Sequence, residues 1–468
     1  MLTRRPILIG LGMTAAAWYA RAAPAAEDTL TGTWTGILNA GVRLRLKWEV
    51  ATDGTVTMYS LDQGNTPISG KAMSMTPERF EIDVPAINGR YTGRAVSADR
   101  IEGTWKQGGN ELPLALRRGD AGLTPEPVQP LTQAALEEMR AKANAPALAA
   151  AAVIKGKPAQ KWVTGERVKD SGVAVTGNDL WHLGSITKSM TATLVARCVE
   201  HGAVKWDDTI GEVLKDVAPD MKAEYKPATF RHLLCHRAGL QNIIPTAELV
   251  KFSQHLDDAR EERRAYVRSA LAQAPFGAMT TTFNYANSGF VIAGAMLEAK
   301  LGKPWEELVR ADLFQPLKLT SAGFGAPGTK GPVTQPIGHV PLGGTLFAQT
   351  LDQPVTDNPV VLGPAGRVHM SLDDVLTYLA AHRDGTSLLK PESWKTLHTP
   401  PFGGDYVMGW VVRPEGLWHN GSNTMWIANV LFNGSTGVAG VAATNYAAPS
   451  SGPLVGDVLA RAIRAVQS

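Results

Sequence analysis

The chain has 468 residues, 44% of them hydrophobic and 19% charged, which is enough apolar side chain for a sizeable core and excludes a chain disordered throughout. At about 150 residues per domain, this length suggests roughly three structural units. Lys+Arg total 46 and Asp+Glu 43, a net charge of +3 with no basic cluster beyond short pairs, which excludes an electrostatic nucleic-acid binder. Two cysteines, Cys198 and Cys235, cannot build a disulfide scaffold or a four-cysteine zinc site; buried thiols are expected, with a single bridge as the alternative.

Residues 1–26 read as an export signal. Arg4 and Arg5 precede an apolar stretch from Ile7 to about Tyr19, and small residues follow, ending in Ala23-Pro24-Ala25. The apolar stretch is short for a bilayer span. Thr3-Arg4-Arg5-Pro6-Ile7-Leu8 fits a twin-arginine signal as well as an ordinary secretory peptide. No later segment is apolar enough for a stable membrane anchor, so a soluble periplasmic or secreted product is expected.

An all-β domain is predicted over residues 27–119. Alternating runs such as Val42-Arg43-Leu44-Arg45-Leu46 and Phe80-Glu81-Ile82-Asp83-Val84 are bounded by turn signals at Asp53-Gly54, Asn88-Gly89 and Gly108-Gly109-Asn110. Gly32-Thr33-Trp34 recurs as Gly103-Thr104-Trp105, as if similar strands stood near the two ends of a meander, and such a meander can close into a small barrel. No catalytic constellation falls here, and the segment reads as a structural appendage rather than a binding or capping module. A Pro-rich linker over 120–133 follows, centred on Thr124-Pro125-Glu126-Pro127-Val128-Gln129-Pro130.

From residue 134 to 468 helical and strand patterns alternate. Ile186, Met190, Leu194 and Cys198 recur at four-residue spacing and predict one apolar face of a helix over Ser185–Glu200, with Gly202 as its stop. Ser371 and Asp374 have capping-box spacing. Met425–Phe432 and Val438–Thr444 flank Asn433-Gly434, a hairpin signal, and a helix from about Leu454 to Val466 closes the chain. The order suggests an α+β fold in which a sheet built from both ends of this region encloses a helical insertion.

Several common sites are missing from the sequence: no G-x-x-x-x-G-K-[ST] loop, no H-E-x-x-H helix and no G-x-S-x-G elbow occurs. His232, Cys235 and His236 have no fourth ligand close in sequence, so neither metal nor cofactor is expected. What remains is Ser185-Ile186-Thr187-Lys188. A serine in the first turn of a helix sits among amides that favour developing negative charge, and a lysine three residues on shares its face. To accept the hydroxyl proton, that lysine must have its pKa lowered by burial or nearby positive charge. Ser387-Leu388-Leu389-Lys390 also matches S-x-x-K, but Pro391 argues against a helix continuing through Lys390. Tyr285-Ala286-Asn287 precedes an apolar stretch from Phe290 to Leu297, and His419-Asn420-Gly421-Ser422 sits between expected strands of the terminal sheet. His182-Leu183-Gly184 also fits H-x-G, so that pattern depends on its place in the chain.

The series S-x-x-K, Y-x-N and H-x-G in this order resembles the serine β-lactamase and penicillin-binding-protein superfamily, nearest to class C β-lactamases, D-stereospecific serine peptidases and family VIII esterases. The resemblance covers roughly residues 134–468. It includes Arg231-His232-Leu233-Leu234-Cys235-His236-Arg237-Ala238-Gly239-Leu240, Gly363-Pro364-Ala365-Gly366 and Met408-Gly409-Trp410. It implies a β-lactamase-like antiparallel sheet flanked by helices, with the small β domain outside the match. It further implies that Ser185 is the nucleophile, Lys188 its activating partner and Tyr285 a shared general base and acid. Asn287 would contact substrate, His419 would line the pocket, and the amides of Ser185 and Ser422, with Gly421 beside them, would form the oxyanion hole. The usual K-T-G is here His419-Asn420-Gly421. A lysine would offer a substrate carboxylate a fixed charge, whereas histidine, with a pKa of about 6.5, offers mainly a switchable hydrogen bond. A metal-free acyl-transfer hydrolase for a small ester or a D-amino-acid peptide or amide is therefore expected. The alternatives are a class C-like β-lactamase and a catalytically quiet protein that binds cell-wall peptides.

Overall fold

A computed structural model describes residues 30–39, 43–63, 65–123, 127–252, 259–343, 345–353 and 355–468. The expected export signal, Val42 of the first alternating run and residues 124–126 of the linker lie outside these residues. The chain divides into two compact units between Pro125 and Glu126.

The first unit is a closed eight-stranded antiparallel barrel of consecutive strands: Gly32–Asn39, Arg43–Val50, Thr55–Ser60, Ile68–Thr76, Arg79–Val84, Gly89–Ser97, Arg100–Gln107 and Asn110–Arg118. The last strand returns to pair with the first at Trp34↔Arg118, so neither end of the meander is left as an edge. Period-two alternation sends one face inward, as in Arg79–Val84, where Phe80, Ile82 and Val84 are buried. Both Gly-Thr-Trp tryptophans, Trp34 and Trp105, join that core, and Trp48 packs edge-on against Tyr91 and Trp105 at 5.3 and 5.6 Å. Eight strands give an interior just wide enough for such side chains to fill.

The second unit is a three-layer arrangement around a seven-stranded antiparallel sheet. Its strand order is Gln160–Gly165, Ala147–Ile154, Val438–Thr444, Ile427–Asn433, Gly416–Ser422, Trp410–Arg413 and Tyr406–Val407, so strands from both ends of the unit meet at its centre. Ala147–Ile154 shows how the layers form: Ala147, Ala149 and Ala151 face one core, and Leu148, Ala150 and Ala152 the other. The second core lies under helices Gln133–Lys142 and Ser451–Gln467, and the first holds helices Thr187–Glu200 and Asn287–Leu301. Among the described residues no helix is long and apolar enough to cross a membrane.

Three local expectations are modified. Helix Thr187–Glu200 is buried nearly all round instead of along one face, because its small hydroxyls are satisfied by carbonyls: Thr191 Oγ1 donates to Pro364 O at 2.7 Å and Thr193 Oγ1 to Ser189 O at 2.8 Å. Ser371 caps helix Leu372–Asp384, but Asp374 turns to the amide and hydroxyl of Ser321 and does not complete a capping box. The Asn433-Gly434 hairpin is longer than two residues. Asn433 Oδ1 accepts from Ser435 N and Thr436 N, and Gly437, at φ +74°, takes the left-handed position before the strand resumes at Val438. Cys198 and Cys235 are free buried thiols.

Candidate active site

Ser185 sits on a 3₁₀ turn, Gly184–Ile186, that runs directly into helix Thr187–Glu200. One turn on, the Lys188 side chain is fully buried and its Nζ touches three groups: Ser185 Oγ at 2.9 Å, Asn287 Oδ1 at 2.7 Å and Ala365 O at 2.8 Å. All three are uncharged. Burial without a counter-ion therefore drives the Lys188 pKa well below its ordinary value of 10.5. The hydrogen bonds also balance for a neutral amine. Two N–H groups go to the two carbonyl oxygens, which can only accept, and the lone pair is left for the Ser185 hydroxyl proton.

Tyr285 and Asn287 reach the site from the start of helix Asn287–Leu301. The Tyr285 hydroxyl shares a hydrogen bond with Ser185; burial raises its pKa to about 12 and outweighs that bond, so the phenol keeps its proton at neutral pH. The Asn287 amide is oriented by Asn242, whose Oδ1 accepts from Asn287 Nδ2 at 3.0 Å and leaves Asn287 Oδ1 to Lys188. The segment around His236 cradles this stretch. Its Nδ1 accepts from Ala286 N at 2.9 Å, its carbonyl from Asn284 N at 3.0 Å, and its ring lies 4.3 Å from that of Tyr285.

The third element is the strand Gly416–Ser422. Gly421 is needed there because a Cβ would stand 2.7 Å from Ser185 N, and Gly184, at φ +49°, because a Cβ would stand 2.8 Å from the carbonyl carbons of Gly421 and Ser422. These two glycines let the Ser185 turn press against the strand end that carries Ser422, so the amides of Ser185 and Ser422 belong to one small region.

His419 lies on the same strand with its ring centroid 6.4 Å from that of Tyr285, but it is only 2% exposed and both ring nitrogens are engaged. Nδ1 donates to Asn420 O, which leaves Nε2 to accept from Tyr406 Oη at 3.1 Å. Burial, reinforced by the nearby Lys188, lowers its pKa to about 3. The histidine is neutral in the whole range where the switchable bond was expected.

The structure thus brings Ser185, Lys188, Tyr285 and Asn287 into direct contact, sets Gly421 and Ser422 beside them, and buries His419 with its ring near that of Tyr285. Ser387 lies in a turn, and Lys390 precedes Pro391 at the start of a different helix, Pro391–His398. His232 bonds through both nitrogens to threonines, Nδ1 with Thr229 and Nε2 with Thr280. Sequence reasoning missed the Ala365 carbonyl, Asn242 and Tyr406. A backbone carbonyl leaves no trace in residue type, while Tyr406 two residues before Met408-Gly409-Trp410 was a signal within reach.

The family model described as Beta-lactamase matches residues 132–463. Penicillin-binding protein 4 of Amycolatopsis lactamdurans is 27% identical over 256 residues, covering 54% of this chain and 63% of that protein. A β-lactamase of Pseudomonas fluorescens is 25% identical over 272 residues, 56% of this chain and 68% of that protein. The chain therefore spans less than two thirds of the first of these relatives. Among solved structures, the D-amino acid amidase from Ochrobactrum anthropi SV3, complexed with L-phenylalanine, has a TM-score of 0.58 at 20% identity, over 72% of this chain and 99% of that one, a likeness of fold. The barrel lies outside the family match.

Proposed function

The chain belongs to the β-lactamase family, a family of serine hydrolases, and from that premise we propose that it cleaves a small neutral ester, or the amide or peptide of a D-amino acid, through an acyl-enzyme on Ser185. The observation that carries this reading is the environment of Lys188 Nζ, 2.9 Å from Ser185 Oγ with its other contacts both carbonyl oxygens. The neutral amine takes the hydroxyl proton as Ser185 Oγ bonds to the substrate carbonyl carbon. The oxygen that becomes negative is held by the amides of Ser185 and Ser422. Tyr285, still protonated, donates to the leaving oxygen or nitrogen as its bond to carbon breaks, and takes its proton back from the Lys188 ammonium. Water then attacks the acyl carbon with the same groups acting in reverse, which frees the acid and restores Ser185.

Preference for a neutral substrate follows from His419, which carries no charge for a substrate carboxylate. The proposed export signal would place the reaction in the periplasm or outside the cell.

The test is labelling with a fluorophosphonate probe, followed by a panel of short-chain esters, D-amino-acid amides and a chromogenic cephalosporin. Labelling of wild type but not of Ser185→Ala, with turnover of esters or D-amides, is the expected result. Labelling that survives in Ser185→Ala would overturn the nucleophile. Cephalosporin turnover alone would favour a β-lactamase, and a protein that neither labels nor turns over any of the panel would be a binder.

A further inference from the structure

The oxyanion hole proposed above is divided between two elements that are far apart in sequence, the turn Gly184–Ile186 and the end of the strand Gly416–Ser422. A third segment, with no secondary structure of its own, reaches both. Asp357 is 3% exposed, and its carboxylate is surrounded by His182, Arg367 and Asn423, which are 1%, 5% and 4% exposed. Gly184 N donates to His182 Nδ1 at 3.1 Å, so the proton of this imidazole is on Nε2, which donates to Asp357 Oδ2 at 3.0 Å. Asp357 Oδ1 accepts from Asn423 Nδ2 at 2.6 Å and from Asn358 N at 2.7 Å. Asn423 Oδ1 in turn accepts from Met425 N at 3.2 Å and Trp426 N at 3.1 Å, which fixes the chain just past Ser422. Arg367 Nε approaches Asp357 Oδ2 at 3.3 Å, two residues after the carbonyl of Ala365 that holds Lys188.

Resting on the acyl-transfer reading of Ser185, we propose that Asp357 is a positioning residue that sets the spacing of the oxyanion hole, gripping the Ser185 turn through His182 and the Ser422 strand end through Asn423. The argument is one of satisfaction. A buried carboxylate is tolerated only when its lone pairs are filled, and here two of the donors that fill them adjoin the hole: Asn423 follows Ser422, and His182 bonds Gly184 N, next to Ser185. Movement of either half would leave a buried donor or acceptor unpaired, so the two halves are held at a single separation. Asp357 itself touches neither Ser185 nor Ser422 in this network, and its influence on the reaction is through these neighbours.

The test is Asp357→Asn in the full chain. An amide at 357 can still accept from His182 with its oxygen, but then presents NH₂ to the NH₂ of Asn423. Because an oxyanion hole acts on the transition state, kcat for a neutral ester should fall about 10²-fold or more with KM changed little. The double variant Asp357→Asn/Asn423→Asp restores a donor–acceptor pair between the two positions while position 423 still accepts from Met425 N and Trp426 N. It should recover at least tenfold of the lost kcat, which a merely structural loss would not do. Should Asp357→Asn fail to fold, His182→Gln, which leaves the carboxylate with Asn423, Asn358 and Arg367, provides the same comparison. An unchanged kcat in whichever of these single variants folds, or a kcat loss that the double variant leaves untouched, overturns the proposal. Failure of the underlying reading looks different: there Ser185→Ala itself remains active.

Discussion

In the barrel, charged side chains stand on the outside and pair with one another, Arg45 with Asp62 and Arg90 with Asp83, around an interior of tryptophan, tyrosine, phenylalanine and aliphatic residues. In the second unit Lys188, Arg263, Asp357, His182, His236, His382 and His419 are all buried. The contrast has a physical meaning, because water has been replaced around each of these groups and something must make up for it. For Arg263 the replacement is ionic: it bonds Glu298 at 2.9 Å and Glu306 at 2.7 Å, and although burial opposes its charge, the two carboxylates more than offset that and raise its pKa. For Lys188 there is no ion, only carbonyls and a hydroxyl, and burial pushes its pKa well down. Within one core, the first pattern builds a scaffold and the second makes a base.

The sharpest way to break this comparison is to exchange both cations for methionine. Lys188→Met should lower kcat by about 10²–10⁴-fold, the scale of a positioned proton transfer. It should nonetheless fold as well as wild type or better, by about 1–2 kcal/mol, as expected where a functional group is held against its own solvation. The sign follows from linkage. Between the lowered folded pKa of Lys188 and its ordinary 10.5, the unfolded chain holds a proton that the folded chain does not, so wild-type stability rises with pH across that window. The advantage of Lys188→Met is therefore largest at low pH and vanishes toward 10.5, and urea titrations at two pH values check it. A variant that is inactive and also unstable at every pH would show that Lys188 is a structural ion.

Arg263→Met should do the opposite. Removing the cation leaves Glu298 and Glu306 buried beside each other, at a cost of about 3–5 kcal/mol. Arg263 touches none of Ser185, Lys188 or Tyr285 through its hydrogen bonds, so kcat per folded molecule, counted by fluorophosphonate titration, should be unchanged. A drop in kcat with no loss of stability would erase the distinction between the two cations.

The two units should also part company in acid. All ten histidines lie from His182 onward, none in the barrel. Burial lowers the pKa of His369 and His398 to about 4 and of His419 to about 3, and pushes His236 and His382 well below 6.5. Below about 6.5 the unfolded chain takes up protons that these folded residues refuse, each worth up to about 1.4 kcal/mol per pH unit. Calorimetry of the full chain between pH 7 and 5 should therefore show the hydrolase transition moving down by at least a few degrees, with a barrel transition that moves less. Equal shifts in both, or a single transition that does not move, would mean that the buried histidines are not held neutral.

The same contrast explains what the sequence made legible. Alternation in runs such as Phe80–Val84 and the paired Gly-Thr-Trp segments suffice to read a β meander, because a barrel needs only an inward and an outward face. The side chains of the candidate site are similarly legible where they are local: Ser185 and Lys188 are one helical turn apart, and Tyr285 and Asn287 two residues apart. What was illegible is the satisfaction of buried polar groups by distant partners. Nothing in Thr191 announces the Pro364 carbonyl, so a helix buried all round looked amphipathic. Nothing in His182 announces Asp357, so one end of a buried network looked like a chance H-x-G. His419 was expected between strands and lies instead on the strand Gly416–Ser422, and its exposure and charge depend on Tyr406 and on burial.

That dependence defines the smallest expected effect. A histidine that lines the pocket and titrates near 6.5 would strengthen carboxylate-bearing substrates as pH falls toward that value, relative to neutral ones. The His419 ring has Nδ1 committed to the Asn420 carbonyl and Nε2 to the Tyr406 hydroxyl, and its protonation is pushed down to about 3. Protonating Nε2 would cost the bond from Tyr406 and place a charge in a buried site. The ratio of kcat/KM for an anionic ester to that for its neutral analogue should therefore be flat between pH 8 and 5, whatever each value does alone. Taking the ratio cancels the catalytic base, which both substrates use. His419→Gln, which can still accept from Tyr406, should leave the ratio flat as well. A ratio that climbs as pH falls in wild type but not in His419→Gln would show that the imidazole turns to the substrate and reads its carboxylate, and the preference for neutral esters would have to be given up.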